Sequence, residues 1–425
     1  MPTRAKLADG MAGTSDRRSF LASLAACSLV AGVAGRSRAA EPLRLGLIGL
    51  GNSGRRLLQV ARGQQGVEVV ALCDVDKSRL AECAGTLARP CAQFVDYREL
   101  LETADLQGVI LATPDHWHAP IGLAALHSGH DLYVETPLAL TVTEGREIVD
   151  AATRLGRVVQ VGNSHRGAAP IRTAVELIRS GRLGKIETVR AWCTGGESAA
   201  PVPDQTPPAD LDWDRWLGPA PEVPYNPQRA HRHWRFYWDY GGGLLAEQGS
   251  RLLDLVHWAT GLSAPLNVQA RATYDLANAY ETPTSLDVTY EYPGFHLSWS
   301  QNSWRGKPET PDGLVFIGSR GRLYLEHNNY QIQPEGLAID PIGPGDFELP
   351  RPAGHFEEWV DCLRSREQPS ADVASGHAAA TTAHLGNLAA RLQRTLTWSA
   401  ADERFVNDPA ADRWLSRPTR APYDR

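Results

Sequence analysis

Lysine is almost missing from this chain. Lys6, Lys77, Lys185 and Lys307 are the only ones among 43 basic residues, so arginine carries nearly all of the positive charge. A guanidinium stays protonated across the working range of an enzyme, which leaves few side chains for chemistry that needs an amine of adjustable pKa. Cysteine is sparse as well: Cys27, Cys73, Cys83, Cys91, Cys193 and Cys362 show no C-x-x-C spacing, which excludes a disulfide framework and a cysteine-based zinc site. A charge excess is lacking too, because 43 basic and 49 acidic residues leave a net charge of −6. No electrostatic footprint for nucleic acid is present, and the expected partner is a small molecule. No apolar run reaches the roughly 18 residues needed to span a bilayer. What the chain does have is length, 425 residues, and 42% hydrophobic content, enough for two or three cores.

The first forty residues read as an address. Arg17-Arg18 precede Ser19-Phe20-Leu21 and an apolar run from Leu21 to Ala34, and small residues follow at Ser37, Ala39 and Ala40. This layout resembles a twin-arginine signal spanning 1–39, with cleavage after Ala39 and a periplasmic or extracytoplasmic destination. Leu24-Ala25-Ala26-Cys27 could instead be a lipobox anchoring the chain at Cys27, but the apolar run before it is short.

From Leu43 to Val161, short apolar runs alternate with amphipathic stretches. Leu45 to Ile48, Val67 to Leu72, Gly108 to Leu111, Leu132 to Val134 and Val158 to Val161 read as buried strands, with helices between them. That rhythm predicts an α/β fold: a doubly wound parallel sheet of Rossmann type over 43–163. The remaining stretch, 164–425, has another texture. A proline- and tryptophan-rich excursion at 199–240 is followed by a helical pattern from Leu244 to Thr260. Two-residue alternation then appears, as in Leu286, Val288, Tyr290 and Tyr292, and helices over His355 to Arg364 and Gly376 to Leu392 close the chain. A second α/β domain with a large, open, mostly antiparallel sheet is expected.

The first strand runs into Gly49-Leu50-Gly51-Asn52-Ser53-Gly54, a G-x-G-x-x-G pattern between a strand and a helix. Gly49 permits the turn, Gly51 lets backbone approach a pyrophosphate, and Gly54 allows close helix packing, with Asn52 and Ser53 at the helix N-terminus. Asp74, at the end of the next strand, is placed to bind a ribose 2′-hydroxyl and to repel a 2′-phosphate, so NAD is expected in preference to NADP. Two further motifs end strands where ligands of open sheets gather: Thr113-Pro114-Asp115-His116-Trp117-His118 and Glu135-Thr136-Pro137. Thr113, Pro114, His116, His118, Glu135 and Thr136 are therefore candidate cofactor contacts. His116 and His118 could alternatively form a helix start. No third ligand follows them, so no metal is expected.

Together with Asp239-Tyr240-Gly241-Gly242-Gly243 and His355-Phe356, these motifs resemble the Gfo/Idh/MocA oxidoreductases, most narrowly their secreted, twin-arginine branch. The similarity covers about residues 43 to 421. It implies a Rossmann domain, a second α/β domain, NAD(P), a sugar, polyol or glycoside substrate, and homo-oligomers formed through the open sheet. The departures bear on catalysis. The resemblance implies Glu-Lys-Pro where this chain has Thr136. It also implies an aspartate and a catalytic histidine where Glu247 and Arg251 stand. Arg251 is a poor base.

Candidate substitutes are His165, His231, His233, Tyr237, Tyr240, Glu247 and Lys307, with His165 favoured because it follows a strand end beside the expected crevice. Thr136, Glu247 and Arg251 remain in the expected catalytic set. The expected function is an exported NAD-dependent oxidoreductase of carbohydrates, either a dehydrogenase or a redox-neutral enzyme that keeps its NAD. The alternative is a non-catalytic NAD- or carbohydrate-binding protein that has lost the lysine and histidine.

Overall fold

The computed structural model describes residues 41–103, 105–195, 198–302, 310–326, 328–338 and 347–423. The N-terminal address and Lys307 lie outside them. Among the described residues no helix is long and apolar enough to cross a membrane.

Six parallel strands form the first sheet: β1 (Leu43–Ile48), β2 (Val67–Cys73), β3 (Ala92–Phe94), β4 (Gly108–Leu111), β5 (Asp131–Val134) and β6 (Val159–Val161), in the order β3-β2-β1-β4-β5-β6. Its connecting helices include α1 (Asn52–Gly63), α2 (Lys77–Gly85), α3 (Tyr97–Thr103), α4 (His118–His127) and α5 (Val142–Leu155). β4 and β5 are buried at every position, which is why they read as unbroken apolar runs. The strand order reverses between β1 and β4, and a crevice opens at the strand ends there.

The second sheet has nine strands in the order β13-β12-β11-β7-β10-β9-β8-β14-β15. Its centre is β7 (Ile186–Cys193), β8 (Asn267–Thr273), β9 (Ser285–Tyr292), β10 (Phe295–Gln301) and β11 (Asp312–Gly318), and β12 (Gly321–Glu326), β13 (Asn329–Gln333), β14 (Leu396–Ser399) and β15 (Arg404–Phe405) extend both edges. The β7–β10 pair is parallel and the other pairs are antiparallel. Leu286, Val288, Tyr290 and Tyr292 of β9 face inward, while Asp287 and Glu291 are exposed. The inner face packs on α6 (Ala169–Arg179), α8 (Ser250–Thr260) and α10 (Val373–Leu392), once α7 (Trp213–Leu217) and α9 (His355–Ser365) are counted in chain order.

Chain order and packing part company near the C-terminus. Phe356, Trp359, Val360 and Leu363 of α9 join the core made by Leu45, Leu47, Ile110 and Tyr133 of the first sheet. A Cβ on Gly108 of β4 would stand 3.1 Å from the Trp359 ring, so the glycine is what lets the indole lie on the strand. Val373 and Ala380 of α10 likewise join the other face.

The excursion 199–240 is ordered and largely irregular, with α7 as its only α-helix. It is tied to the first domain at residues after β2: Lys77 N donates to Asp210 O at 2.9 Å and Asp212 N to Val75 O at 3.0 Å.

Candidate active site

Gly49 sits at φ +91, and a Cβ there would lie 2.7 Å from the Ala112 backbone, so the turn demands glycine. On Gly54 a Cβ would come within 1.9 Å of Gly49 O, which fixes how closely α1 approaches β1. Gly51 differs: the nearest atom to its absent Cβ is Arg79 Nη1 at 3.7 Å, so nothing in the protein requires glycine at that point. No side chain caps α1 at Gly51, and its first N–H groups face the crevice lined by Gly49, Gly51, Asn52 and Ser53. An open, uncapped helix start beside a glycine is a cradle for an anion. Asp74 lines the same crevice. Its Oδ2 accepts from Leu50 N at 2.6 Å and its Oδ1 from Asp76 N at 2.9 Å, so the carboxylate is held in place, while burial pushes its pKa up.

The crevice continues past Thr113 and Pro114 to a second group of side chains: Asp115, Glu135, Thr136, Trp234, Arg235, Glu247 and Arg251. Glu135 and Thr136 end β5. Glu135 Oε1 accepts from Arg56 Nη2 at 2.9 Å, its Oε2 has no hydrogen-bond partner among the described residues, and Arg251 Nη2 stands 3.8 Å from that oxygen. Arg251 Nε donates to Thr136 Oγ1 at 2.9 Å. The guanidinium is thus held next to Thr136, which places a cation beside the position where the family resemblance implies a lysine.

Glu247 lies in a π-helical turn, Leu245–Gly249, that leads into α8. The expected single helix over Leu244 to Thr260 is therefore widened at its start, a feature that often accompanies functional sites. Arg235 Nε lies 2.5 Å from Glu247 Oε2. Across the crevice, Asp115 is buried, and its pKa is raised well above the usual carboxylate range, first by burial and then by the charge of Glu247.

Three expectations need correction. His165 does not line the crevice; its Nδ1 faces Asn328 Oδ1 at 2.6 Å, and its neighbour Arg166 is locked in a buried pair with Asp254 at 2.6 Å. Tyr240 is fully buried, with its ring against His116 and Trp216, and Arg229 Nη1 lies 3.4 Å from its hydroxyl. His116 and His118 are buried behind the wall. His116 Nε2 faces Trp216 O at 3.1 Å, and burial lowers its pKa to about 3. The nitrogens of His118 face the carbonyls of Pro137 at 2.8 Å and Thr113 at 3.0 Å, so this ring ties the two strand-end motifs together. Asp115, which was not among the candidate residues, is the residue of that motif that reaches the crevice with a titratable group. Its position between Pro114 and a helix start was the available signal.

A doubly wound sheet with an open glycine cradle, joined to a second domain whose excursion and helix start at Glu247 and Arg251 supply the far wall of the crevice, defines a two-domain, nucleotide-binding oxidoreductase. The chain belongs to the Gfo/Idh/MocA oxidoreductase family: residues 43–163 match its NAD-binding Rossmann fold and residues 187–425 its C-terminal alpha/beta domain. An alpha-N-acetylgalactosaminidase from Shewanella oneidensis is 33% identical over 155 residues, 34% of each chain. The chain thus spans about a third of that relative's length, and the same holds for several family 109 glycosyl hydrolases. Among solved structures, the WlbA dehydrogenase from Bordetella pertussis, in complex with NADH and UDP-GlcNAcA, superposes with a TM-score of 0.64 at 20% identity, covering 84% of this chain and 99% of that one. Aldose-aldose oxidoreductase from Caulobacter crescentus, complexed with glycerol, gives 0.64 at 19% identity, covering 84% and 100%.

Proposed function

We propose that this protein is an exported NAD-dependent oxidoreductase of a sugar, polyol or glycoside, working by a cycle in which the hydrogen taken from a carbinol carbon is later returned. The observation that carries the reading is a single crevice with an open pyrophosphate cradle at one end and Asp115, Glu247 and Arg251 at the other. Bound NAD would supply the hydride acceptor. The cradle at Gly49, Gly51, Asn52 and Ser53 would hold its pyrophosphate and Asp74 its adenosine ribose. Thr113, Pro114, Glu135 and Thr136 would border the nicotinamide end. Glu247 is the group suited to take a hydroxyl proton, and Asp115 the group suited to give one back. Arg235 pairs with Glu247, and Trp234 offers an apolar wall for a sugar face.

The relatives named above include both a glycosidase and sugar oxidoreductases, which supports carbohydrate chemistry. Export supports the closed cycle, since reduced nicotinamide would have no recycling partner outside the cytoplasm. Export itself rests on Arg17-Arg18, and assembly through the outer face of the nine-stranded sheet rests on the family resemblance.

The test is to denature purified protein, identify any released nucleotide by absorbance and mass, and then follow NADH and sugar products together on a carbohydrate panel. Product without net NADH supports the cycle. Released NAD with no turnover on any carbohydrate would favour a binding protein.

A further inference from the structure

Arg251 has only a distant carboxylate for a partner. Glu135 is paired to Arg56 at 2.9 Å, Glu247 is paired to Arg235 at 2.5 Å, and burial raises the pKa of Asp115. The Arg251 side chain is four-fifths buried, and its one hydrogen bond among the described residues runs from Nε to Thr136 Oγ1, a neutral acceptor. Glu135 Oε2, its nearest carboxylate oxygen, stands 3.8 Å from Nη2, beyond hydrogen-bond reach. Among the described residues no protein acceptor lies within hydrogen-bond reach of the terminal guanidinium nitrogens, and Arg251 lines the crevice. A charge so far removed from water is costly unless an anion meets it.

The cofactor's pyrophosphate is not well placed to be that anion. Its cradle is at the end of β1, whereas Thr136 follows β5, two strands further along the sheet, a separation of about 10 Å. At the β5 end the groups in reach are the nicotinamide and the substrate, and an oxidised nicotinamide is itself positive. An anionic group on the substrate would meet the guanidinium there.

We infer that the substrate is an acidic sugar whose carboxylate sits on the terminal nitrogens of Arg251. A planar carboxylate matches the guanidinium fork with two parallel N–H···O bonds, which a hydroxyl cannot do. The Thr136 bond fixes the plane of the fork, so threonine at this position orients the anion site. This inference rests on the carbohydrate reading above and narrows it to sugar acids.

The experiment uses the full mature chain loaded with NAD and a panel of hexuronates, each paired with its neutral hexose, with binding measured by calorimetry. The expected result is at least one hexuronate bound ten-fold or more tighter than its hexose. In Arg251→Gln that ratio should fall to near one while NAD affinity stays within about two-fold. Arg251→Lys, which keeps the charge and loses the fork, should retain part of the preference, and circular dichroism of both variants checks folding. The inference is overturned if no hexuronate outbinds its hexose, or if Arg251→Gln weakens NAD and leaves the uronate preference intact. Failure of the native protein to bind NAD at all would instead overturn the oxidoreductase reading.

Discussion

Substituting Thr136→Lys places an ammonium beside a guanidinium that is already there. Arg251 Nε is 2.9 Å from Thr136 Oγ1, so the new charge cannot settle more than about 4–5 Å from it without leaving the crevice wall. At an effective dielectric near 20 that repulsion is about 3–4 kcal/mol. Losing the Thr136 bond adds about 1–2 kcal/mol. Glu135 gives some back, but Arg56 already shares it, so a net loss of about 3 kcal/mol is expected. Adding Arg251→His removes the repulsion and restores an ammonium beside Glu135. Thermal and denaturant unfolding of the wild type, both single variants and the double variant then form a cycle, with an expected favourable coupling of about 2–3 kcal/mol. The lysine's pKa should be depressed in the folded state. The penalty is then full below that folded value and shrinks as pH rises toward the ordinary lysine value near 10.4. Additive effects, within about 0.5 kcal/mol, would refute the idea that Arg251 stands in for the missing lysine.

Other expectations follow from the same geometry. Because the folded pKa of Asp115 is raised, the stability it contributes is full below the ordinary carboxylate range and is lost as pH rises through the folded value; Asp115→Asn should flatten that decline in a Tm-against-pH series while abolishing turnover. Gly51→Ala should fold normally yet weaken NAD binding at least ten-fold, whereas Gly54→Ala should lower Tm as well, because its Cβ would strike Gly49 O at 1.9 Å; equal Tm values for the two would contradict this division. His165→Ala should leave turnover within a few-fold of wild type, and its abolition would return His165 to the mechanism. Replacing Arg17 and Arg18 by alanine should retain the precursor in the cytoplasm on cell fractionation.

The first sheet was legible because each strand is a short apolar run bounded by turn residues, and because Gly49 to Gly54 followed by Asp74 is a pattern with a single geometric solution. β3 and α3 were passed over, since the three residues of β3 carry no periodicity and two of them are exposed. β8 escaped too: only Val268 of its seven residues is fully buried, so the edge region reads as loop. In the site, position after a strand pointed to Glu135 and Thr136, and the family resemblance pointed to Glu247 and Arg251. His165 misled because a strand end places a residue near the crevice without saying which way its side chain turns. His116 and His118 misled for a related reason: histidines can serve a wall from behind. That Arg251 bonds Thr136 was hidden by a sequence separation of 115, since pairing across domains leaves no local trace.

The position of α9 bears on the order in which the molecule can be made. The cofactor sheet is assembled from residues 43–161, yet one face of it is finished by Phe356, Trp359 and Leu363, which leave the ribosome some two hundred residues later. Until they arrive, Leu45, Leu47, Ile110 and Tyr133 lack the aromatic layer that covers them, and Gly108 has left room on the strand for an indole that does not yet exist. The sheet that carries the nucleotide cradle is thus covered on one face by residues from the last fifth of the chain.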